Sequence, residues 1–194
     1  RLGLKTRCVA VPVTVDAMYI RSTAFVIQSE DRRLVVVAYR GTEPANVISW
    51  LADFDTETES LRTPHPGAVH AGFYRNLRAS RFAVVDLVDK ALDGLHIDEP
   101  ESDADVERRR QRSGNTTDVE AIHLAGHSFG GALAILLGLS VTDQVAVSRN
   151  TRRMPESDAA FGRISERLHS VHTYGQPMIG DQDLADGLTN LPFR

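Results

Sequence analysis

Gly126-His127-Ser128-Phe129-Gly130 stands between two apolar runs, residues 121–125 and the longer, Ala- and Leu-rich residues 131–141. A chain that passes in five residues from an extended segment into a helix leaves no room for side chains at the outer positions of the turn, and glycine occupies both. The G-x-S-x-G spacing predicts a strand, a sharp turn and a helix, with the Ser128 hydroxyl projecting above the edge of a sheet. Gly131 and Ala132 extend the small surface. A glycine-rich turn for phosphate would instead want a lysine, which is absent here.

The rest of the chain supplies elements for such a sheet. Residues 21–28 and 34–39 are dense in Val, Ile and Phe and flank a polar turn, so they read as two strands with a short connection. LVVVAY at 34–39 is apolar on both faces, which suits a central strand covered by helices on both sides. Phe73, Leu77, Val84, Leu87, Val88, Ala91 and Leu92 recur at helical spacing over residues 73–95, and Gly94 offers a stop. Residues 56–68, with Pro64 and Pro66, and residues 149–162 read as polar loops. Residues 97–118 are charged and nearly devoid of apolar side chains, the pattern of an exposed insertion. Residues 168–174 form one more strand. Strands alternating with helices point to an α/β domain with a mainly parallel sheet.

At 194 residues one domain is expected. With 42% apolar and 25% charged residues, disorder and coiled coil are poor readings. The net charge of −4 leaves no basic stripe, because Arg108 to Arg112 follow Glu101, Asp103, Asp105 and Glu107; nucleic acid is excluded as a partner. Residues 133–141, the longest strongly apolar run, are too short to span a bilayer. Cys8 is the only cysteine, so an intrachain disulfide and a cysteine-based metal cluster are both out. No group of His, Cys and acidic residues has metal-ligand spacing, and no cofactor is expected. The first residues lack the order of a signal peptide and begin without Met, which leaves a processed, secreted protein and a cytoplasmic one both open.

A serine at the head of a helix invites nucleophilic chemistry. The helix dipole places its positive end where an oxyanion would form, and the backbone N–H of Phe129 is the expected donor, worth about 3 kcal/mol to a tetrahedral intermediate. The serine also needs an imidazole to take its proton and a carboxylate to hold that imidazole.

Four segments in order now match a known pattern: VAYRGTEP at 37–44, VHAGFY at 69–74, HLAGHSFGGALA at 123–134 and VHTYGQPMIGD at 171–181. On these residues the chain resembles the class 3 (fungal-type) lipases, whose α/β-hydrolase fold has a mainly parallel sheet with helices on both faces. The resemblance implies a carboxylic ester hydrolase acting on acylglycerols or related lipid esters, with Ser128 as nucleophile and Thr42 beside Phe129 in the oxyanion hole. It also implies a lid after Thr42, where Val47, Ile48, Trp50, Leu51 and Phe54 make one apolar helical face. That periodicity fits an ordinary core helix equally well. His70 and Gly72 match a structural segment near the site. His127 is expected to point away from substrate, with a packing and hydrogen-bonding role. His123 and His172 read as core histidines, and His65, His96 and His169 as loop or strand-edge residues.

The pattern then breaks. In this fold the order is Ser, then Asp or Glu, then His, yet only His169 and His172 follow Ser128. Asp181, Asp183 and Asp186 lie too close to Gly175 to be the acid and read as loop and helix-start carboxylates. The resemblance places the catalytic Asp and His beyond Arg194, so this chain would lack the C-terminal strand or strands of the fold. An inactive lipase-like binding domain or fragment, and an acyltransferase or thioesterase using the same serine, remain the alternatives.

Overall fold

A computed structural model describes residues 5–15, 20–41, 57–60, 67–111, 117–151 and 156–188. The elements in chain order are β1 Thr6–Val15, β2 Ile20–Ser29, β3 Leu34–Tyr39, β4 Thr58–Ser60, β5 Ala68–His70, α1 Ala71–Leu92, α2 Asp103–Gln111, β6 Ala121–His127, α3 Phe129–Thr151, α4 Glu156–Arg167, β7 Leu168–Tyr174 and α5 Gln182–Gly187.

β1, β2, β3, β6 and β7 form one sheet in that order. β3 is its middle strand, as the apolar LVVVAY run required. β1, β2 and β3 pair antiparallel, and β3, β6 and β7 pair parallel. Four of the five strands therefore point one way and only β2 opposes them. β1 has no counterpart in the sequence reading, although Val9, Val11 and Val13 alternate along it.

The core lies on one face. Val35, Val37, Tyr39, Ile122 and Leu124 are buried there with Phe73, Leu77, Val84 and Val88 of α1, Leu133 and Leu137 of α3, and Phe161 and Ile164 of α4. On the other face Val36, Ala38, His123 and Ala125 are half-buried. Among the described residues, the expected cover of helices is thus dense on one side of β3. No described helix is long and apolar enough to cross a membrane.

Three expectations need correction. Residues 149–162 are not a loop: α3 runs to Thr151 and α4 starts at Glu156. The polar composition belongs to the outer face of α4, while Phe161 and Ile164, three apart, are buried beneath it. Arg163 ties α4 to α1 by donating to Asp89 at 2.9 Å and Asp93 at 2.8 Å. Residues 56–68 contribute a short hairpin strand, β4, paired with β5. The charged insertion at 97–118 is mostly exposed in its residues 98–107, but its start is anchored and its middle is helical. Ile97 is 3% exposed, and the buried Gln28 amide donates to the Leu95 carbonyl at 3.0 Å and accepts from the Ile97 N–H at 3.3 Å. Ser102 and Asp105 exchange reciprocal side-chain to backbone bonds at 3.1 and 3.2 Å, a capping box that opens α2.

Candidate active site

Ser128 is the only residue between the end of β6 and the start of α3. Its φ of 52° lies in the left-handed region, where an L side chain costs about 1–2 kcal/mol. Its N–H donates to the Tyr174 carbonyl at 2.8 Å, and its own carbonyl accepts from Gly131 at 2.9 Å and Ala132 at 3.3 Å. The first of these bonds pins the turn to β7 and the other two start the helix.

The glycines do what the spacing demands. A Cβ at Gly126 would lie 2.1 Å from the Gly130 carbonyl oxygen. One at Gly130 would lie 2.3 Å from the carbonyl oxygen of Tyr39, so this glycine clears β3 and not β6. Gly131 makes room for Gln176, whose Cβ would be 2.9 Å away. Phe129, the first residue of α3, is 2% exposed, its ring tilted 53° to that of Phe73 with centroids 5.4 Å apart.

The four family-like segments meet around this turn. Gly41, the last described residue of its stretch, abuts the elbow: a Cβ there would be 2.8 Å from the His127 carbonyl oxygen. Thr42 and the lid candidates Val47, Ile48, Trp50, Leu51 and Phe54, with His65, lie outside the described residues. His70 caps α1, its Nδ1 accepting from Gly72 N–H at 3.1 Å. The His70 ring also lies 5.1 Å from Phe73, and its backbone N–H donates to Ile179 at 2.9 Å. Asp181 caps α5 through Leu184 N–H and reaches across to Ala68 N–H, each at 2.9 Å. Sequence reasoning foresaw the cap and missed the cross-link. It also missed Tyr174, which acts through its backbone carbonyl and leaves no side-chain signal. Asp181→Ala should lower stability by about 2 kcal/mol, one for the cap and one for the second bond, read as a melting temperature roughly 4–8 °C lower.

Among the described residues no imidazole hydrogen-bonds the Ser128 hydroxyl. His127 is exposed, its ring lying beside Gly41 and Gly175. His172 is exposed too. The half-buried His123 meets Ser170 Oγ with Nδ1 at 2.6 Å, and the same hydroxyl meets His172 Nε2 at 2.8 Å. The His169 ring lies 5.2 Å from that of His123. Burial, and then the positive charges that His169 and His172 can carry, lower the His123 pKa. The unfolded chain therefore protonates first on acidification. The His123 contribution to stability is intact above the ordinary imidazole value of 6.5 and is lost as pH falls below it. Melting temperature should decline between pH 7.5 and 5.5, and decline less steeply in His123→Asn. No group of the described residues is set up to hold a metal ion.

The class 3 lipase family pattern matches residues 36–193. The triacylglycerol lipase OBL1 of Ricinus communis is 25% identical over 197 residues, covering 90% of this chain and 34% of its own length. The chain thus spans about a third of that curated relative. A lipase from Rhizopus microsporus var. chinensis superposes with a TM-score of 0.62 at 19% identity, over 97% of this chain and 50% of that one. A triacylglycerol lipase whose catalytic centre is formed by a serine protease triad does so with a TM-score of 0.57 at 19% identity, over 95% and 54%. These structural likenesses establish an α/β-hydrolase fold, and with the match over residues 36–193 the chain belongs to the class 3 lipase family.

Proposed function

We propose that this chain carries the nucleophile and oxyanion hole of a serine carboxylic ester hydrolase acting on acylglycerols or related lipid esters. The observation that carries the reading is the left-handed Ser128 at the head of α3. Ser128 Oγ attacks the ester carbonyl carbon while an imidazole takes its proton. The oxyanion is held by the Phe129 N–H and by Thr42. The ester C–O bond then breaks, the alcohol leaves with the imidazolium's proton, and water attacks the acyl-serine to free the acid. From the Ser, then Asp or Glu, then His order of this fold, we propose that the imidazole and its carboxylate lie beyond Arg194. Val47, Ile48, Trp50, Leu51 and Phe54 are proposed as the lid.

A fluorophosphonate probe tests this. The full-length protein should be labelled at Ser128 and Ser128→Ala should not. The competing reading is a lipase-like domain that binds without turning over. It predicts an unlabelled full-length protein. Turnover with an alcohol or thioester acceptor in preference to water would mark an acyltransferase or thioesterase.

A further inference from the structure

The apolar stripe by which α1 packs on the sheet, with Phe73, Leu77, Val84 and Val88, is interrupted at Asn76 and Ser80, one turn apart and both buried. The sheet answers with two polar groups of its own. Ser22 of β2 and Tyr39, the last residue of β3, are 4% and 3% exposed. They stand on one face, because Ala24, two residues from Ser22, pairs with Tyr39. Polar side chains from three elements thus meet inside an apolar seam, where a group left without a partner costs more than a bond contributes.

Their hydrogen bonds do not close. Ser22 Oγ donates to Asn76 Oδ1 at 2.6 Å, and Ser80 Oγ donates to the Leu77 carbonyl at 3.2 Å. Those bonds use the protons of both serine hydroxyls and leave lone pairs on both oxygens. Tyr39 Oη and Asn76 Nδ2 have no hydrogen-bond partner. Burial raises the Tyr39 pKa, so the phenol keeps its proton; Ser80 Oγ is near enough to offset part of that rise, without the geometry of a hydrogen bond. The seam therefore holds surplus donors beside surplus acceptors. One turn further along α1 its character changes: a void lined by Val37, Val84, Val88 and Leu137 is apolar and gives a polar guest no partner.

We infer that a buried water occupies this seam, accepting from Tyr39 Oη and Asn76 Nδ2 and donating to the serine oxygens, and that it ties the end of β3 to α1 and β2. Water matches the surplus, since it takes two donors and returns two. The span fits as well. Tyr39 meets α1 at Ser80 and Ser22 meets it at Asn76, and four residues of helix rise about 6 Å. A water bonded on both sides joins atoms roughly 5.5 Å apart. The strand end that it braces leads into the elbow: the Tyr39 carbonyl lies against Gly130, the Arg40 N–H donates to the Thr23 carbonyl at 2.9 Å, and Gly41 abuts His127.

Tyr39→Phe in the full-length protein tests this, because the two cases differ in sign. With the water in place the substitution removes a bond and should lower the melting temperature by about 2–4 °C. An unbridged phenol is a buried orphan whose removal raises the melting temperature; a rise, or no change, overturns the inference. Hydrogen exchange then locates the brace. The Arg40 amide, at a strand end that opens locally, should exchange about fivefold faster in Tyr39→Phe, the equivalent of one hydrogen bond. The Gly94 amide, bonded to the Ala91 carbonyl at the far end of α1, should be unchanged. An unaltered Arg40 amide, or equal acceleration at Gly94, refutes the tie to β3. A crystal structure of the full-length protein should show one water within about 3.2 Å of both Tyr39 Oη and Asn76 Nδ2, and a direct bond from either group to a protein atom would count against it. None of these readouts involves ester hydrolysis, so the probe experiment on Ser128 stands or falls separately.

Discussion

Ser128→Gly is expected to melt higher than the wild-type protein and, on the ester hydrolase proposed above, to lose turnover by about 10⁴-fold or more. The two effects share one cause. Ser128 holds a φ of 52°, a conformation that costs an L residue about 1–2 kcal/mol and glycine almost nothing. Part of the relief is offset by the greater freedom of glycine in the unfolded chain, so the net gain should be near 1 kcal/mol, or roughly 2–4 °C. Ser128→Ala keeps the Cβ and therefore the strain. It should melt close to the wild type while losing turnover and probe labelling equally. Thermal melts of the two variants, beside labelling of each, separate strain from chemistry. A glycine variant no more stable than the alanine variant would mean that the elbow is not strained at this residue.

The sequence disclosed the elbow well because its information is steric. Gly126 and Gly130 are there to let β6, α3 and β3 approach, and the structure places backbone where their side chains would be. The other three segments were legible as a pattern but not as a mechanism of assembly. Their mutual bonds run through main-chain groups, such as Tyr174 to Ser128 and His70 to Ile179, which any residue could supply. α4 was missed for a different reason: two buried apolar residues three apart are a faint signal among the charges of its outer face. β1 was missed although its valines alternate, because Arg7, Cys8 and Pro12 interrupt the impression of a strand.

The largest effect on stability should come from Gly126→Ala. The new methyl carbon would sit 2.1 Å from the Gly130 oxygen, 2.3 Å from the Gly130 carbonyl carbon and 2.6 Å from the Gly131 nitrogen. All three are backbone atoms, so no rotamer change relieves the overlap. The start of α3 has nowhere to go either, because Gly130 already abuts the main chain of Tyr39, the last residue of β3, and of Arg40. Separating β6 from α3 would draw Phe129 and Leu133 out of the core. The loss should be about 3 kcal/mol or more, a fall of roughly 6–12 °C in melting temperature. Gly162→Ala supplies the contrast. It replaces a glycine inside α4 whose Cβ would meet nothing within 4 Å, and should raise stability by about 1 kcal/mol through helix propensity alone. Chemical denaturation of both variants decides the matter: a Gly126→Ala protein as stable as the wild type would show that β6 and α3 do not meet at the elbow as closely as the structure places them.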